Sequence, residues 1–254
     1  MNQFERREKI IELINKNGKV KVNELAEMFG ISDVSIRTDL AELEIKGLLS
    51  RVHGGAVSSY KTYFNMDMQQ RLLENRGQKE LIASKIAEMI EENDTIMFNS
   101  GTTTLTIMRK IPQNMNLSIV TNSIAIALEA SGNPNFNVVL LGGAVNSKYR
   151  FVYGDNTNNQ LEKYHADKLI LSVDGIDPSA GFTTFYDKEA EIDRLMLEHS
   201  ATKIIAADSS KLGRTAFAHI APLNMADYIV TNADESKNDD IAAITECVSN
   251  IIVL

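Results

Sequence analysis

Five short polar segments in the second part of the chain each follow an apolar, β-rich run. The first, Asn99-Ser100-Gly101-Thr102-Thr103-Thr104, opens a helical pattern. Its glycine permits a tight turn, and its hydroxyls together with the free N–H groups of a helix N-terminus suit a phosphate. The other segments are Thr121-Asn122-Ser123, Gly142-Gly143-Ala144, Val173-Asp174-Gly175-Ile176-Asp177 and Ala207-Asp208-Ser209-Ser210-Lys211. Any one of them could be a turn or a helix cap, but five together favour a ligand site.

These segments converge if the strands before them are parallel, because the carboxyl ends of such strands meet at one edge of a doubly wound sheet, where ligands bind. There a lysine would pair with a phosphate, and carboxylates would accept hydrogen bonds from sugar hydroxyls. The residues predicted to bind the effector are Ser100, Gly101, Thr102, Thr103, Thr104, Asn122, Gly142, Gly143, Asp174, Asp177, Glu189 and Lys211.

The elements that must position these residues are strands alternating with helices. Continuous apolar runs, typical of strands covered on both faces, occur at 95–98, 117–121, 138–141, 168–173, 203–207, 228–231 and 251–254. Helical patterns lie between them, at 81–90, 103–111, 123–130, 189–199 and 239–248. This alternation predicts an α/β fold with a doubly wound, Rossmann-like parallel sheet.

The first 57 residues have a different pattern. A first helix is predicted from the apolar residues Ile10, Ile11, Leu13 and Ile14. A second helix, capped by Asn23, is predicted to bury Leu25, Met28 and Phe29. Gly30 then allows a turn, Ser32 caps a third helix, and the segment 48–57 is predicted to be a hairpin or wing. Together these features indicate a winged helix-turn-helix.

The third helix has an unusual outer face. Ile36, Leu40, Leu43 and Gly47 fall on one buried stripe, whereas the opposite side carries small, apolar or hydroxyl groups and one arginine. Such a face can approach base edges, and an arginine can contact guanine or phosphate. The residues predicted to bind DNA are Ser32, Val34, Ser35, Arg37, Thr38, Arg51 and His53. A three-helix protein-interaction domain is the alternative for this region.

Composition limits the classes of protein. The 254 residues are 44% hydrophobic and 24% charged, as in ordinary globular proteins, and no apolar run is long enough to span a bilayer. The net charge is −8, but residues 1–57 hold nine basic and nine acidic residues, so the acidic excess lies entirely after residue 57. The lone Cys247 excludes an internal disulfide and a cysteine zinc site. We expect a cytoplasmic protein without a metal or cofactor.

The pattern predicts three regions: a DNA-binding domain at 1–57, a polar linker at 58–78 and a ligand-sensing α/β domain at 79–254. Because one small helix-turn-helix rarely binds DNA tightly enough, we expect a dimer or tetramer that reads adjacent half-sites.

The segment 31–44, with Gly47, Arg51 and His53-Gly54-Gly55-Ala56, resembles the DeoR family of sugar-operon repressors. One departure is Thr38, where the family usually has a second arginine. The resemblance continues through the second region in the segments Ser-Gly-Thr-Thr-Thr, Val120-Thr121-Asn122-Ser123, Asp174-Gly175-Ile176-Asp177, Gly181-Phe182-Thr183-Thr184 and Asp208-Ser209-Ser210-Lys211-Leu212-Gly213. It implies a sensor domain similar in fold to ribose-5-phosphate isomerase, although Asn99 stands where the family often has an acidic residue.

The resemblance implies a DNA-binding repressor of a sugar or sugar-alcohol catabolic operon that responds to a phosphorylated sugar and is not an enzyme. The rival hypothesis is a sugar-phosphate isomerase, for which Glu189 or Glu191 would be the base. A ligand-free interaction protein is a third possibility, but it leaves the five polar segments unexplained. A shift of an operator fragment in a gel would distinguish a repressor from an isomerase.

Overall fold

The computed structural model describes residues 2–17, 19–45, 48–58, 63–64 and 66–254. The chain divides into two units, Met1–Met66 and Asp67–Leu254. Each unit buries its own set of apolar side chains, so each has a hydrophobic core.

The first unit is a winged helix-turn-helix. Its elements are α1 (Gln3–Asn17), β1 (Lys19–Lys21), α2 (Val22–Phe29), α3 (Asp33–Ile45), β2 (Leu49–Val52) and β3 (Gly55–Ser58). The three strands form an antiparallel sheet in the order β1-β3-β2, in which β2 and β3 are the predicted wing. The core lies between the helices and this sheet.

The predicted stripe of α3 is confirmed for Ile36, Leu40 and Leu43, which are buried, while Gly47 lies outside the described residues. The cap by Ser32 is also confirmed, since its Oγ accepts a hydrogen bond from the backbone N–H of Ser35 at 3.2 Å.

Two expectations for α2 were wrong. Asn23 does not cap the helix, because α2 begins one residue earlier, at Val22, and its N-cap residue is Lys21 at the end of β1. Met28 is 59% exposed rather than buried. Gly30 does end the helix, in the left-handed conformation that a glycine adopts without strain.

The second unit alternates strands and helices. Its elements are α4 (Met68–Leu73), α5 (Arg76–Ala87), β4 (Thr95–Phe98), α6 (Thr102–Lys110), β5 (Leu117–Thr121), α7 (Ile124–Ala130), β6 (Phe136–Leu140), β7 (Ala144–Asn146), β8 (Phe151–Tyr153), α8 (Asp155–Leu161), β9 (Ala166–Ser172), β10 (Gly175–Asp177), β11 (Gly181–Thr184), α9 (Asp187–Glu198), β12 (Ser200–Ala206), β13 (Ala218–Ala221), β14 (Tyr228–Thr231), α10 (Asn238–Thr245) and β15 (Ile251–Val253).

All seven predicted strands are present in one parallel sheet of order β15-β14-β12-β9-β4-β5-β6. Alternate residues of each strand enter different cores: Met97 packs on one face, whereas Ile96 and Phe98 pack on the other. Both faces are therefore covered, as the continuous apolar runs predicted.

The chain leaves β4 in one direction, to β5 and β6, and later returns to place β9 on the other side of β4. The junction of β4 and β9 is thus a topological switch point, where the loops after the two strands diverge and leave a crevice. The smaller β7-β8 pair and the β10-β11-β13 sheet were not predicted, because their strands are only three or four residues long.

Residues 67–78, which the sequence assigned to the end of a linker, instead belong to the second unit and contain α4 and the start of α5, joined by a turn at 74–75. Asp67 and Gln70 form a reciprocal capping box at the start of α4, and Met68 is buried. The segment is polar because its side chains cap a helix and form hydrogen bonds with other parts of the unit, such as that of Asn75 with Asp208. None of the helices in the described part of the chain combines the length and the apolar character that a membrane span requires.

Candidate nucleic-acid interface and ligand site

The outer face of α3 carries the side chains predicted to read DNA. Val34 is 71% exposed, and Arg37 and Thr38 are also exposed. The hydroxyl of Thr38 donates to the carbonyl of Val34, and those of Ser32 and Ser35 lie 3.0 Å apart. Within the described residues no acid pairs with Arg37, so its guanidinium is available to a partner.

A buried carboxylate fixes α3 against α1. Asp39 Oδ2 is 2.6 Å from Arg6 Nε, and its Oδ1 is 2.9 Å from Arg7 Nε and 3.3 Å from Gln3 Nε2. The Asp39 side chain is fully buried, and burial alone would raise its pKa. The hydrogen bonds from Arg6, Arg7 and Gln3 outweigh burial and hold the pKa below its ordinary value. Asp39 is therefore a charged link between the helices.

The wing is attached to the end of α3 by a second ion pair. Glu44 accepts from the backbone N–H of Arg51 at 2.7 Å and from Arg51 Nε at 2.6 Å. His53 lies exposed in the turn between β2 and β3, and lines the same groove as Arg37. The structure thus brings the predicted helix and wing residues to neighbouring surfaces.

In the second unit, Asn99 spans the switch point between β4 and β9. Its Nδ2 donates to the carbonyl of Ser172 at 2.9 Å, and its Oδ1 accepts from the Ser172 N–H at 3.0 Å. The same Nδ2 lies 3.2 Å from Asp193 Oδ1 on α9. An amide suits this position because, unlike a carboxylate, it both donates and accepts.

The predicted phosphate loop forms the start of α6. Gly101 packs so closely that a Cβ there would lie 1.9 Å from Ser172 Oγ. The Thr104 hydroxyl is used within the loop, where its Oγ1 lies 3.1 Å from the carbonyl oxygen of Asn99 and 3.0 Å from that of Gly101. Thr102 and Thr103 are buried, and no described acceptor takes their backbone N–H groups. The loop therefore presents donors at the crevice.

Arg71 of α4 connects this loop to the segment after β9. Its Nη1 is 3.3 Å from Asp174 Oδ1, and its Nη2 donates to the Tyr149 hydroxyl at 3.0 Å. Its Cζ lies 4.2 Å from the Tyr149 ring centroid and 5.2 Å from that of Phe185. Ser100 Oγ donates to the Tyr149 carbonyl at 3.3 Å. Arg71 thus contacts the segment after β9 directly, through Asp174, and the segment after β4 indirectly, through Tyr149.

A chain of acids extends from Asp174 into the protein. The Thr184 hydroxyl is 3.1 Å from Asp174 Oδ2 and 2.7 Å from Glu189 Oε2. Burial, helped by the charge of Asp174, raises the pKa of Glu189 to about 8. Burial and the neighbouring Glu189 also raise the pKa of Asp193 well above its usual value. Burial therefore favours the protonated form of both groups.

The end of β12 supplies a buried lysine. Lys211 is 3% exposed, and its burial lowers the pKa of its ammonium to about 8, against the opposing effect of Asp208. Arg214 and Arg71 act in the same direction as burial. Asn75 Nδ2 donates to Asp208 Oδ1 at 2.9 Å, so the segment before α5 also reaches this site.

Other predicted effector residues have structural partners. Gly142 is bonded through its N–H to Gln160 and through its carbonyl to Thr157 and Gln160. Gly143 has a φ of +159°, and a Cβ there would meet Thr157 Oγ1 at 2.2 Å. Asn122 bonds to β8, though its buried Oδ1 has no described partner. Asp177 accepts three hydrogen bonds from its own turn.

Sequence reasoning missed several residues of this site: Arg71, Asn75, Tyr149, Thr184 and Asp193. A usable signal was the spacing of four between Arg71, Asn75 and Lys79 in a segment that also carries helical residues. Lys79 is 1% exposed, and its ammonium binds the carbonyls of Arg71 and Glu74 at the end of α4. It therefore positions the helix that carries Arg71.

A winged helix-turn-helix whose third helix exposes small side chains and one arginine, joined in one chain to an α/β unit with a polar crevice, is typical of a DNA-binding regulator with a sensor domain. The DeoR-like helix-turn-helix domain matches residues 6–62, and the DeoR C terminal sensor domain matches residues 74–233. The chain belongs to the DeoR family and is a transcriptional regulator with a DNA-binding domain and a sensor domain.

Two curated relatives match nearly the whole chain. The HTH-type transcriptional regulator GlpR of Haloferax volcanii is 33% identical over 245 residues, 95% of this chain and 96% of that protein. The lactose phosphotransferase system repressor of Staphylococcus epidermidis is 33% identical over 256 aligned positions, which cover 98% of this chain and 100% of that protein. Both are regulators, and the isomerase alternative gains no support from them.

Among solved structures, ribose 5-phosphate isomerase A from Methanocaldococcus jannaschii aligns with a TM-score of 0.41 and 12% identity, covering 54% of this chain and 55% of that chain. A similarity this partial has no bearing on activity.

Proposed function

We propose that this regulator represses a sugar-catabolic operon and that a phosphorylated sugar, bound at the crevice between β4 and β9, controls its affinity for DNA. The DNA-binding part follows from the family and from the exposed face of α3. A sugar phosphate is proposed because of the charges and hydrogen-bond donors of the crevice, and because the chain is similar to a lactose phosphotransferase system repressor.

The convergence of three cationic side chains carries the proposal. Arg71 and Arg214 place their Cζ atoms 5.2 and 5.6 Å from the Phe185 ring centroid, and both depress the pKa of the buried Lys211. A buried ammonium requires a compensating charge. Asp208 and Asp174 raise the pKa of Lys211, and the charge of a bound phosphate would act in the same direction and keep the ammonium protonated.

Both the phosphate and the sugar hydroxyls of such a ligand have possible partners at this crevice. The N–H groups of Thr102 and Thr103 suit the phosphate, because they lie at the positive end of α6. Asp174 can accept sugar hydroxyls after Arg71 turns from it toward the phosphate. The ligand would then favour the conformation in which Arg71 contacts the phosphate over the one in which it contacts Asp174. Control of DNA binding requires such a difference in ligand affinity between two conformations.

We further propose that the protein acts as a homo-oligomer. A single helix-turn-helix covers one half-site, and two copies that bind adjacent half-sites give the affinity a repressor needs.

Titration calorimetry with ribose 5-phosphate, glucose 6-phosphate, the two free sugars and inorganic phosphate tests the ligand class. At least one phosphorylated sugar should bind more tightly than its free sugar. Lys211→Ala should weaken that binding roughly 10- to 100-fold, because a hydrogen bond to a charged group contributes about 1.5–3 kcal/mol. Lys188→Ala is the matched control, since Lys188 is exposed and pairs with Glu191 on the surface of the same unit.

The same variants should be compared in gel shifts with the DNA upstream of the regulated genes. Lys211→Ala should keep its DNA affinity but respond poorly to the sugar phosphate. Equal affinity for phosphorylated and free sugars, or a full response in Lys211→Ala, would rule out a phosphate site at this crevice.

A further inference from the structure

A strand of the first unit carries two lysines to which the DNA-binding prediction assigned no role. In β1 the central Val20 is buried, whereas Lys19 and Lys21 are exposed on the same side of the strand. Because β1 pairs with β3, with Lys21 opposite Gly55 and Lys19 opposite Val57, both lysines lie beside the second strand of the wing, and Lys21 lies next to its turn.

These lysines line a groove of about 480 Å³ that also includes Arg37 of α3 and His53 of the wing. Asp33 is the only acidic side chain among the residues that line the described groove. The surface around the groove is thus basic, although the unit as a whole carries equal numbers of acidic and basic residues through residue 57. This concentration of positive charge on one side is what a polyanion would recognise.

We infer that Lys19 and Lys21 bind the phosphate backbone of DNA next to the groove read by α3. The inference rests on the proposed function and extends the DNA contact from the helix and wing to β1. A basic strand beside the reading helix can hold a phosphate while Arg37 reaches a base edge, because phosphate contacts position a protein on the duplex and base contacts give specificity.

Lys21 has a competing partner in the free protein, since its Nζ is 2.8 Å from Glu24 Oε1 and both side chains are about 60% exposed. Exposed pairs of this kind contribute only about 0–1 kcal/mol, so a phosphate can displace the carboxylate. Lys9 and Glu12 form an equivalent pair three residues apart on α1. Lys9 does not line the groove, and it therefore serves as a matched control.

The test needs no knowledge of the operator, because phosphate contacts are independent of base sequence. Fluorescence anisotropy would measure binding of the full chain to a random-sequence duplex at several salt concentrations. Each lysine that contacts a phosphate contributes about 0.9 to the slope of log K against log salt. The double variant Lys19→Gln, Lys21→Gln should lower that slope by about 1.8, and Lys9→Gln should leave it unchanged. Glu24→Gln, which removes the competing carboxylate, should tighten binding.

Two results would overturn the inference. A parent slope retained by the double variant would overturn it but leave the proposed function standing. Failure of the parent protein to bind any duplex would overturn both. If the double variant melts at a lower temperature than the parent, the single variants replace it. Each single variant should lower the slope by about 0.9, half of the change expected for the double variant.

Discussion

The two units bury carboxylates in opposite ways. In the first unit, Asp39 is fully buried but contacts two guanidinium groups, so its pKa stays below the ordinary value and the group stays charged. In the second, burial raises the pKa of Glu189 to about 8 and that of Asp193 well above its usual range. The first arrangement fixes two helices to each other, whereas the second favours protonated carboxyl groups beside a crevice, where a charged ligand can shift their pKa values.

The hydrogen bonds of Thr184 support the second half of this comparison. Its hydroxyl lies within hydrogen-bond distance of both Asp174 and Glu189, but it has one hydrogen to donate. A proton on Glu189 completes the chain, because Glu189 then donates to Thr184 and Thr184 donates to Asp174. Asp174 is the end of the chain that faces Arg71.

The largest effect should come from removing the paired acid. Asp39→Ala leaves Arg6 and Arg7 without their buried partner, and breaking such a link costs about 3–5 kcal/mol. Hydrogen exchange of the α1 and α3 amides should show a loss of this size in the free energy of opening. Asp33→Ala on the same helix, where the residue is exposed, is the control. A loss below about 1 kcal/mol would mean that the arginines find solvent instead.

The second prediction concerns pH. The folded pKa of Glu189 is raised, so its contribution to stability is complete below the unfolded value near 4.5 and is lost as pH rises toward 8. Glu189→Gln should remove this loss, and the pH slope of the unfolding free energy should change by up to about 1.4 kcal/mol per pH unit. Urea unfolding between pH 5 and 8, followed by circular dichroism, measures it.

Glu191→Gln is the control for that measurement, since Glu191 lies on the same helix and pairs with Lys188 at the surface. If Glu189→Gln and Glu191→Gln gave the same pH slope as the parent, Glu189 would be ionised in the folded protein, and the contrast with Asp39 would disappear.

The third prediction concerns Arg37, which forms no ion pair with an acid among the described residues. Arg37→Ala should weaken operator binding by about 1–3 kcal/mol if the guanidinium contacts a base. Stability should not change, because Arg37 lies outside the buried stripe of α3. Gel shifts at fixed salt measure the first effect and thermal melting the second. A variant that binds its operator as tightly as the parent would remove Arg37 from the contacts.

How far the sequence could predict these features depends on the distance between partners along the chain. The parallel sheet was predictable because a strand covered on both faces is apolar at every position, as at 95–98. The stripe of α3 was predictable from helical period alone. Arg71 was not, because Asp174 and Tyr149 lie 103 and 78 residues away from it. For the same reason Asp39 gave no sign of burial, since its partners are on α1.

The smallest effect should come from Glu42, which shares Arg7 with Asp39. Arg7 Nη1 is 2.6 Å from Glu42 Oε2, a shorter distance than that from Arg7 Nε to Asp39, yet 48% of the Glu42 side chain is exposed. Water solvates an exposed carboxylate when its partner is lost, so Glu42→Gln should cost about 0.2–1 kcal/mol, and less at high salt. The measurement is hydrogen exchange of α1 and α3 at two salt concentrations. A cost comparable to that of Asp39→Ala would show that distance, rather than burial, sets the strength of the link between these helices.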